Sequence, residues 1–201
     1  MQVAYIVPSS RELVRRVARK MDFSRPQIIV EYGPGEGCHT REIARQMHPG
    51  STLICFEVDP EFTAHLKHQF RHDPRVIILQ EDAQNLPLEL AKRGIPHCDY
   101  IVSGLPFSII NTRIKRSLVQ KTFESLAPNR ESAFVVYQMT RELMHHARIF
   151  PRFESEFCLR NIPPMFVIKF YKEALNGHSH GHANGHVNGH NSHKINGSRR
   201  H

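Results

Sequence analysis

The segment Gln27-Ile28-Ile29-Val30-Glu31-Tyr32-Gly33-Pro34-Gly35-Glu36-Gly37 decides the fold. A short, continuous apolar run reads as a strand buried on both faces of a largely parallel sheet. The run breaks directly into three glycines, and a helical pattern follows. Glycine at such a bend lets the backbone pass close to a ligand with no Cβ in the way. In an open parallel sheet, ligands sit beyond the carboxyl ends of the strands, near the reversal of strand order. Gly33, Gly35 and Gly37 therefore mark one side of a ligand site.

Outward from this bend the same alternation repeats. Apolar runs at 52–58, 76–80, 100–103 and 132–140 read as further strands, and helical patterns fall at 40–47, 61–72, 86–93 and 113–127. Strand and helix in alternation specify a doubly wound α/β fold. The runs at 154–162 and 165–172 are separated only by Pro163-Pro164, which leaves no room for a helix. They read as an antiparallel pair at the edge, which completes a mostly parallel, seven-stranded, Rossmann-like sheet.

The chain has 201 residues, 40% of them hydrophobic, enough for one compact domain. It contains no apolar run near the 18 residues of a transmembrane helix. Its first residues lack the charged-then-apolar layout of a secretory signal. Cys38, Cys55, Cys98 and Cys158 are too far apart for a CxxC pair or a zinc ribbon, so reduced thiols in a cytosol are expected. The net charge of +8 concentrates in residues 1–25 and in the last residues. That distribution points to an anionic partner, either nucleic acid or an acidic membrane surface.

Three acids complete the ligand pattern. Glu31 stands two residues before the first glycine. Glu57, followed by Val58, ends the second apolar run twenty residues after Gly37. A carboxylate there can accept both hydroxyls of a ribose. Asp82, followed by Ala83, ends the third run and can accept a hydrogen bond from an exocyclic amine of adenine. The glycines read G-x-G-x-G rather than the G-x-G-x-x-G of dinucleotide sites, and hydride enzymes do not require an acid such as Asp82. The combination resembles the class I S-adenosylmethionine-dependent methyltransferases. The resemblance implies S-adenosyl-L-methionine as cofactor, met by Glu31, Gly33, Gly35, Gly37, Glu57, Val58, Asp82, Ala83 and Ser103.

The fourth run continues as Ser103-Gly104-Leu105-Pro106-Phe107. Enzymes that methylate adenine amino groups carry Asn or Asp at the first position of a similar tetrapeptide, to accept from the target amine, and an aromatic residue at the last, to stack on the base. Ser103 lacks that amide acceptor. The Ser-Gly-Leu-Pro form instead resembles the bacterial phospholipid N-methyltransferases. So do Pro8-Ser9-Ser10 before a basic amphipathic helix, Tyr137-Gln138-Met139-Thr140 and Asn161-Ile162-Pro163-Pro164. The resemblance spans about residues 6–172. It implies N-methylation of a phospholipid or aminolipid, phosphatidylethanolamine first, by a peripheral enzyme on the inner face of the cell membrane. Residues 103–107 would then orient the amine through backbone carbonyls and shape its pocket. Adenine methylation in RNA is the alternative, with nucleic acid as partner. The helical C-terminal domain of the ribosomal RNA adenine dimethyltransferases is not expected here.

Three expectations concern the charged segments. Arg113, Lys115, Arg116 and Arg141 are candidates for the anion of a lipid head group, and Tyr137 for the pocket wall. In residues 1–25, Ser9 to Glu12 fits a capping box. Leu13, Val14, Val17, Ala18 and Met21 then share one helical face, expected to insert into an anionic membrane while the arginines and Lys20 meet lipid phosphates. Residues 26–175 form the methyltransferase domain. Residues 176–201, a run of Gly, His, Asn and Ser, are expected to be disordered, with weak metal affinity at His178, His180 and His182 and no metal in the active site.

Overall fold

The computed structural model describes residues 9–173. The expectations for residues 176–201, and for the part of the N-terminal segment before Ser9, lie outside them. In chain order the elements are α1 (Arg11–Ala18), β1 (Ile28–Tyr32), α2 (Cys38–Gln46), β2 (Thr52–Phe56), α3 (Pro60–Gln69), β3 (Val76–Leu79), α4 (Leu86–Lys92), β4 (Tyr100–Ser103), α5 (Thr112–Ser125), β5 (Ala133–Gln138), α6 (Leu143–His146), β6 (Arg152–Cys158) and β7 (Met165–Tyr171). No helix among the described residues is long and apolar enough to cross a membrane.

One seven-stranded sheet runs in the order β3-β2-β1-β4-β5-β7-β6. The first five strands are parallel, and β7 pairs antiparallel with both β5 and β6. The chain winds outward from β1 to β3, then returns to place β4 on the other side of β1. The order reversal thus falls between β1 and β4, whose ends pair Tyr32 with Ser103. A ligand site belongs at that point in such a sheet.

Alternate residues of each strand enter different cores. Val30, Tyr32, Ile54, Phe56 and Phe134 pack under α4 and α5 with Leu86, Leu90, Leu118 and Val119. Ile29, Leu53, Tyr100, Val102 and Val135 pack on the opposite face with Leu13 and Val17 of α1, Ile43 of α2 and Leu66 of α3. Burial on both faces explains why the central strands read as continuous apolar runs rather than alternating ones.

The first helix corrects its expectation. Leu13, Val17 and Ala18 are at most 2% exposed, and Met21 is buried with them. The apolar face of α1 is covered by the sheet and α2, so it has nothing to insert into a bilayer. The cap is Ser10, whose hydroxyl accepts from the Leu13 amide at 3.2 Å. Glu12 is not part of a capping box, because its carboxylate pairs with Arg16. The Ser10 amide donates to Asn161 Oδ1 at 2.8 Å, and Asn161 Nδ2 donates to the Pro163 carbonyl. That pair of bonds ties the start of α1 to the β6–β7 turn. Lys20 pairs with Glu156 of β6 at 2.9 Å.

If the α1 face is core, Leu13→Ala should lower the free energy of unfolding in urea by about 2–4 kcal/mol. A change near zero would mean that this face is solvent- or membrane-exposed.

Candidate active site

The carboxyl ends of β1, β2, β3, β4 and β5 share one rim. The glycine bend after β1 begins at its centre. Gly33, Gly35 and Gly37 all take left-handed φ values, 64°, 54° and 77°. The Gly33 amide donates to the Phe56 carbonyl at 2.9 Å, which pins the bend to the end of β2. Glu57 then clamps it from the side. One carboxylate oxygen accepts from the Gly35 amide and the other from the Asp59 amide, both at 3.0 Å. Asp59 caps α3 through the Glu61 and Phe62 amides. Beside Glu57, Val58 is 66% exposed, an apolar side chain presented at the rim.

Glu31 lies wholly inside. Its Oε2 accepts from Thr40 Oγ1 at 2.7 Å and from the Cys55 thiol, whereas Oε1 is buried with no partner. Burial raises its carboxyl to about 7, against the opposing effect of those two bonds. Asp82 is exposed at the end of β3 and accepts from the Gln84 amide at 2.8 Å, while Ala83 behind it is buried. These positions, with a spare acceptor on Glu31 and an apolar face on Val58, fit a bound nucleoside with an amino-acid tail.

On the other side of β1, Ser103 to Pro106 turns tightly. The Ser103 hydroxyl accepts from the Leu105 amide at 3.2 Å, and the Leu105 carbonyl accepts from the Phe107 amide at 2.9 Å. Leu105 leans onto the glycine bend so closely that a Cβ at Gly33 would lie 2.9 Å from its Cδ2. Gly104 faces Tyr137 at the end of β5, and a Cβ there would overlap the phenol. The Tyr137 ring in turn stacks on His39 of α2, with centroids 4.1 Å apart. Glycine bend, tetrapeptide, Tyr137 and His39 are therefore in contact in sequence.

Several expected residues stand elsewhere. Phe107 was expected to shape the pocket, yet it is fully buried in the core, edge-on to Phe134. Apolar burial of the ring outweighs exposure at the rim. Lys115 was expected to be free for an anion, but it is 1% exposed and paired with Glu142, locking α5 to the segment after β5. Arg113 is exposed in the first turn of α5, and Arg141 lies 4.7 Å over the Phe166 ring. Among the described residues, neither side chain makes a hydrogen bond or ion pair to the glycine bend or the tetrapeptide. Two groups of residues were missed. His39 sits on a helix face that otherwise reads as apolar packing. Arg41 and Arg45 of α2 face Arg11 and Arg15 of α1 across a cleft, which no linear pattern reveals.

A family profile described as ribosomal RNA adenine dimethylase matches residues 8–147. An ornithine lipid N-methyltransferase of Singulisphaera acidiphila is 31% identical over 81% of this chain and 84% of that protein. A ribosomal RNA small subunit methyltransferase A of Mycoplasma capricolum is 27% identical over 55% of this chain, and the match spans 40% of that protein. A crystal structure of precorrin-6y C5,15-methyltransferase from Geobacter metallireducens superposes with a TM-score of 0.65 at 14% identity, covering 86% of this chain and 94% of that one. The last likeness shows the fold.

The raised carboxyl of Glu31 has a consequence for stability. Below about pH 4.5 the folded and unfolded carboxyls are both protonated. As pH rises, the unfolded one ionises first, while the folded one keeps its proton to about 7. Glu31 should therefore contribute about 3 kcal/mol less stability to the ligand-free protein at the top of that window than at the bottom, a difference that Glu31→Gln removes and that buried, neutral His39 opposes in both proteins alike. Urea unfolding of both proteins between pH 4.5 and 7.5 checks this. Parallel curves would contradict it.

Proposed function

We propose a function from the premise that this chain belongs to the ribosomal RNA adenine dimethylase family and is a class I S-adenosylmethionine-dependent methyltransferase: it methylates the amine of an aminolipid head group. The observation that carries the choice of substrate lies in residues 103–107. A base-recognising site needs an acceptor for the adenine amine and an aromatic face to stack on it. Here the Ser103 hydroxyl is engaged with the Leu105 amide, and Phe107 is inside the core. An ornithine lipid is the first candidate, in keeping with the relative from Singulisphaera, and phosphatidylethanolamine the second.

S-adenosylmethionine supplies a methyl group already activated by a positive sulfur. The work left to the protein is alignment and exclusion of water. Glu57 would hold the ribose hydroxyls, Val58 would pack on the adenine, and Asp82 with Ala83 would meet its edge. Glu31 and the bend at Gly33, Gly35 and Gly37 would hold the amino-acid end. The tetrapeptide backbone at Gly104 and Leu105, held in its turn by Ser103, would orient the neutral amine and stabilise the charge that develops on it. Tyr137 closes this wall.

A membrane-surface setting is supported by what surrounds the site. Ile109, Met139, Leu159 and Ile162 are each more than half exposed, and all follow the carboxyl ends of strands or precede β7 on the same rim. Arg11 and Arg15, without ion-pair partners among the described residues, line the cleft beside them with Arg41 and Arg45. Loop tips and arginines, rather than the apolar face of α1, would meet an anionic bilayer. Methylation of adenine in RNA remains the second reading, favoured by the family profile and by the Mycoplasma relative.

Incubating the full chain with methyl-labelled donor and either total lipid or total RNA decides between them. Label in an aminolipid is expected, and label only in RNA would overturn the lipid reading. Glu57→Ala should weaken binding of S-adenosylhomocysteine by about tenfold or more in calorimetry, because the variant loses charge-assisted bonds. Unchanged affinity would remove Glu57 from the ribose role. Leu159→Asp with Ile162→Asp should reduce flotation with phosphatidylglycerol vesicles, and unchanged flotation would remove these tips from the membrane contact.

A further inference from the structure

His39 poses a question that neither the fold nor the donor site answers. It lies in the first turn of α2 and is 3% exposed. Both ring nitrogens are buried without a hydrogen-bond partner in the described structure. A buried polar group left unsatisfied destabilises a fold. An apolar ring of similar size would pack on Tyr137 equally well without that cost. Glu31 Oε1, near the glycine bend, is likewise buried without a partner, as are the side-chain amides of Gln27 and Gln138 and Nε2 of Gln69 among the described residues.

The surroundings narrow the ligand. Stacking on Tyr137 fixes the plane of the imidazole, so only its edge is left for polar contacts. Tyr137 touches Gly104, in the segment that would orient the acceptor amine. Burial lowers the imidazole to about 3, so the ring is neutral at any working pH. A neutral imidazole offers one acceptor nitrogen and one N–H. An acceptor without charge holds an amine N–H while favouring the ammonium form, which cannot attack, less than a carboxylate would.

We propose that His39 accepts a hydrogen bond from the substrate amine and, with the Gly104 segment, aims the lone pair of that amine at the methyl group. No proton is transferred to His39. Methyl transfer forms the N–C bond and breaks the S–C bond, and the proton of the resulting ammonium passes to water. The assignment rests on amine methylation but not on the amine being a lipid, since the adenine amine would meet the same nitrogen.

The full chain with His39→Phe and His39→Asn tests it, using whichever acceptor takes label from the donor. His39→Phe keeps the stacked ring and removes both nitrogens. Its Tm should rise by about 2 °C or more. Its affinity for S-adenosylhomocysteine should stay within about twofold, while kcat falls about tenfold or more. His39→Asn, which keeps an acceptor, should recover part of kcat. Full activity in His39→Phe would overturn the proposal. So would equal losses of activity and of S-adenosylhomocysteine affinity, since His39 would then serve the donor. Should His39→Phe fail to fold, nitrogen-15 spectra of the wild-type histidines give the same reading. A ring-nitrogen shift of His39 on adding acceptor, absent with S-adenosylhomocysteine alone, supports the contact, and no shift with acceptor overturns it. A failure of the lipid reading would show separately, as label in RNA.

Discussion

At the carboxyl ends of β1 and β4, backbone segments approach too closely for side chains between them. Gly33 lies under Leu105 with a left-handed φ, and Gly104 lies against Tyr137. Tyr137 is itself held by the stacked ring of His39. The parallel pairing of Tyr32 with Ser103 brings these segments to one level of the rim. Without that close approach, the carboxylates of β1 and β2 would not share a site with the tetrapeptide after β4.

The stability of this arrangement comes from the layers rather than from the rim. Two cores sandwich the sheet, and α1 belongs to one of them. The rim in contrast holds a carboxylate raised toward neutrality, an imidazole with no partners and several exposed apolar side chains. Each of these costs stability in the free protein. Such departures from local rules occur at functional sites, and Glu31 and His39 flank the glycine bend at the topological switch point.

Much of this was legible in the sequence because it is local. Continuous apolar runs announce strands buried on both faces, and the run at 28–30 passes into glycines that need positive φ. The pair of strands around Pro163-Pro164 was readable from the lack of space for a helix. What failed was long-range. Amphipathicity in α1 gives the same pattern whether the apolar face meets a bilayer or a neighbouring helix, and Leu13 met the sheet. Phe107 and Lys115 are a rim aromatic and a helix cation by sequence, yet tertiary packing buries one and pairs the other with Glu142. His39, Arg41 and Arg45 acquire their setting only when α2 packs beside Tyr137 and α1.

The central claim is that the glycine bend, Glu31, Glu57 and Asp82 form one site for an adenosyl sulfonium compound. A crystal structure of the full chain grown with S-adenosylhomocysteine tests it most directly. It should show the ribose hydroxyls on Glu57, the adenine between Val58 and the end of β3, and the sulfur facing Gly104. Density for that compound elsewhere on the molecule, or none at saturating concentration, would contradict the claim.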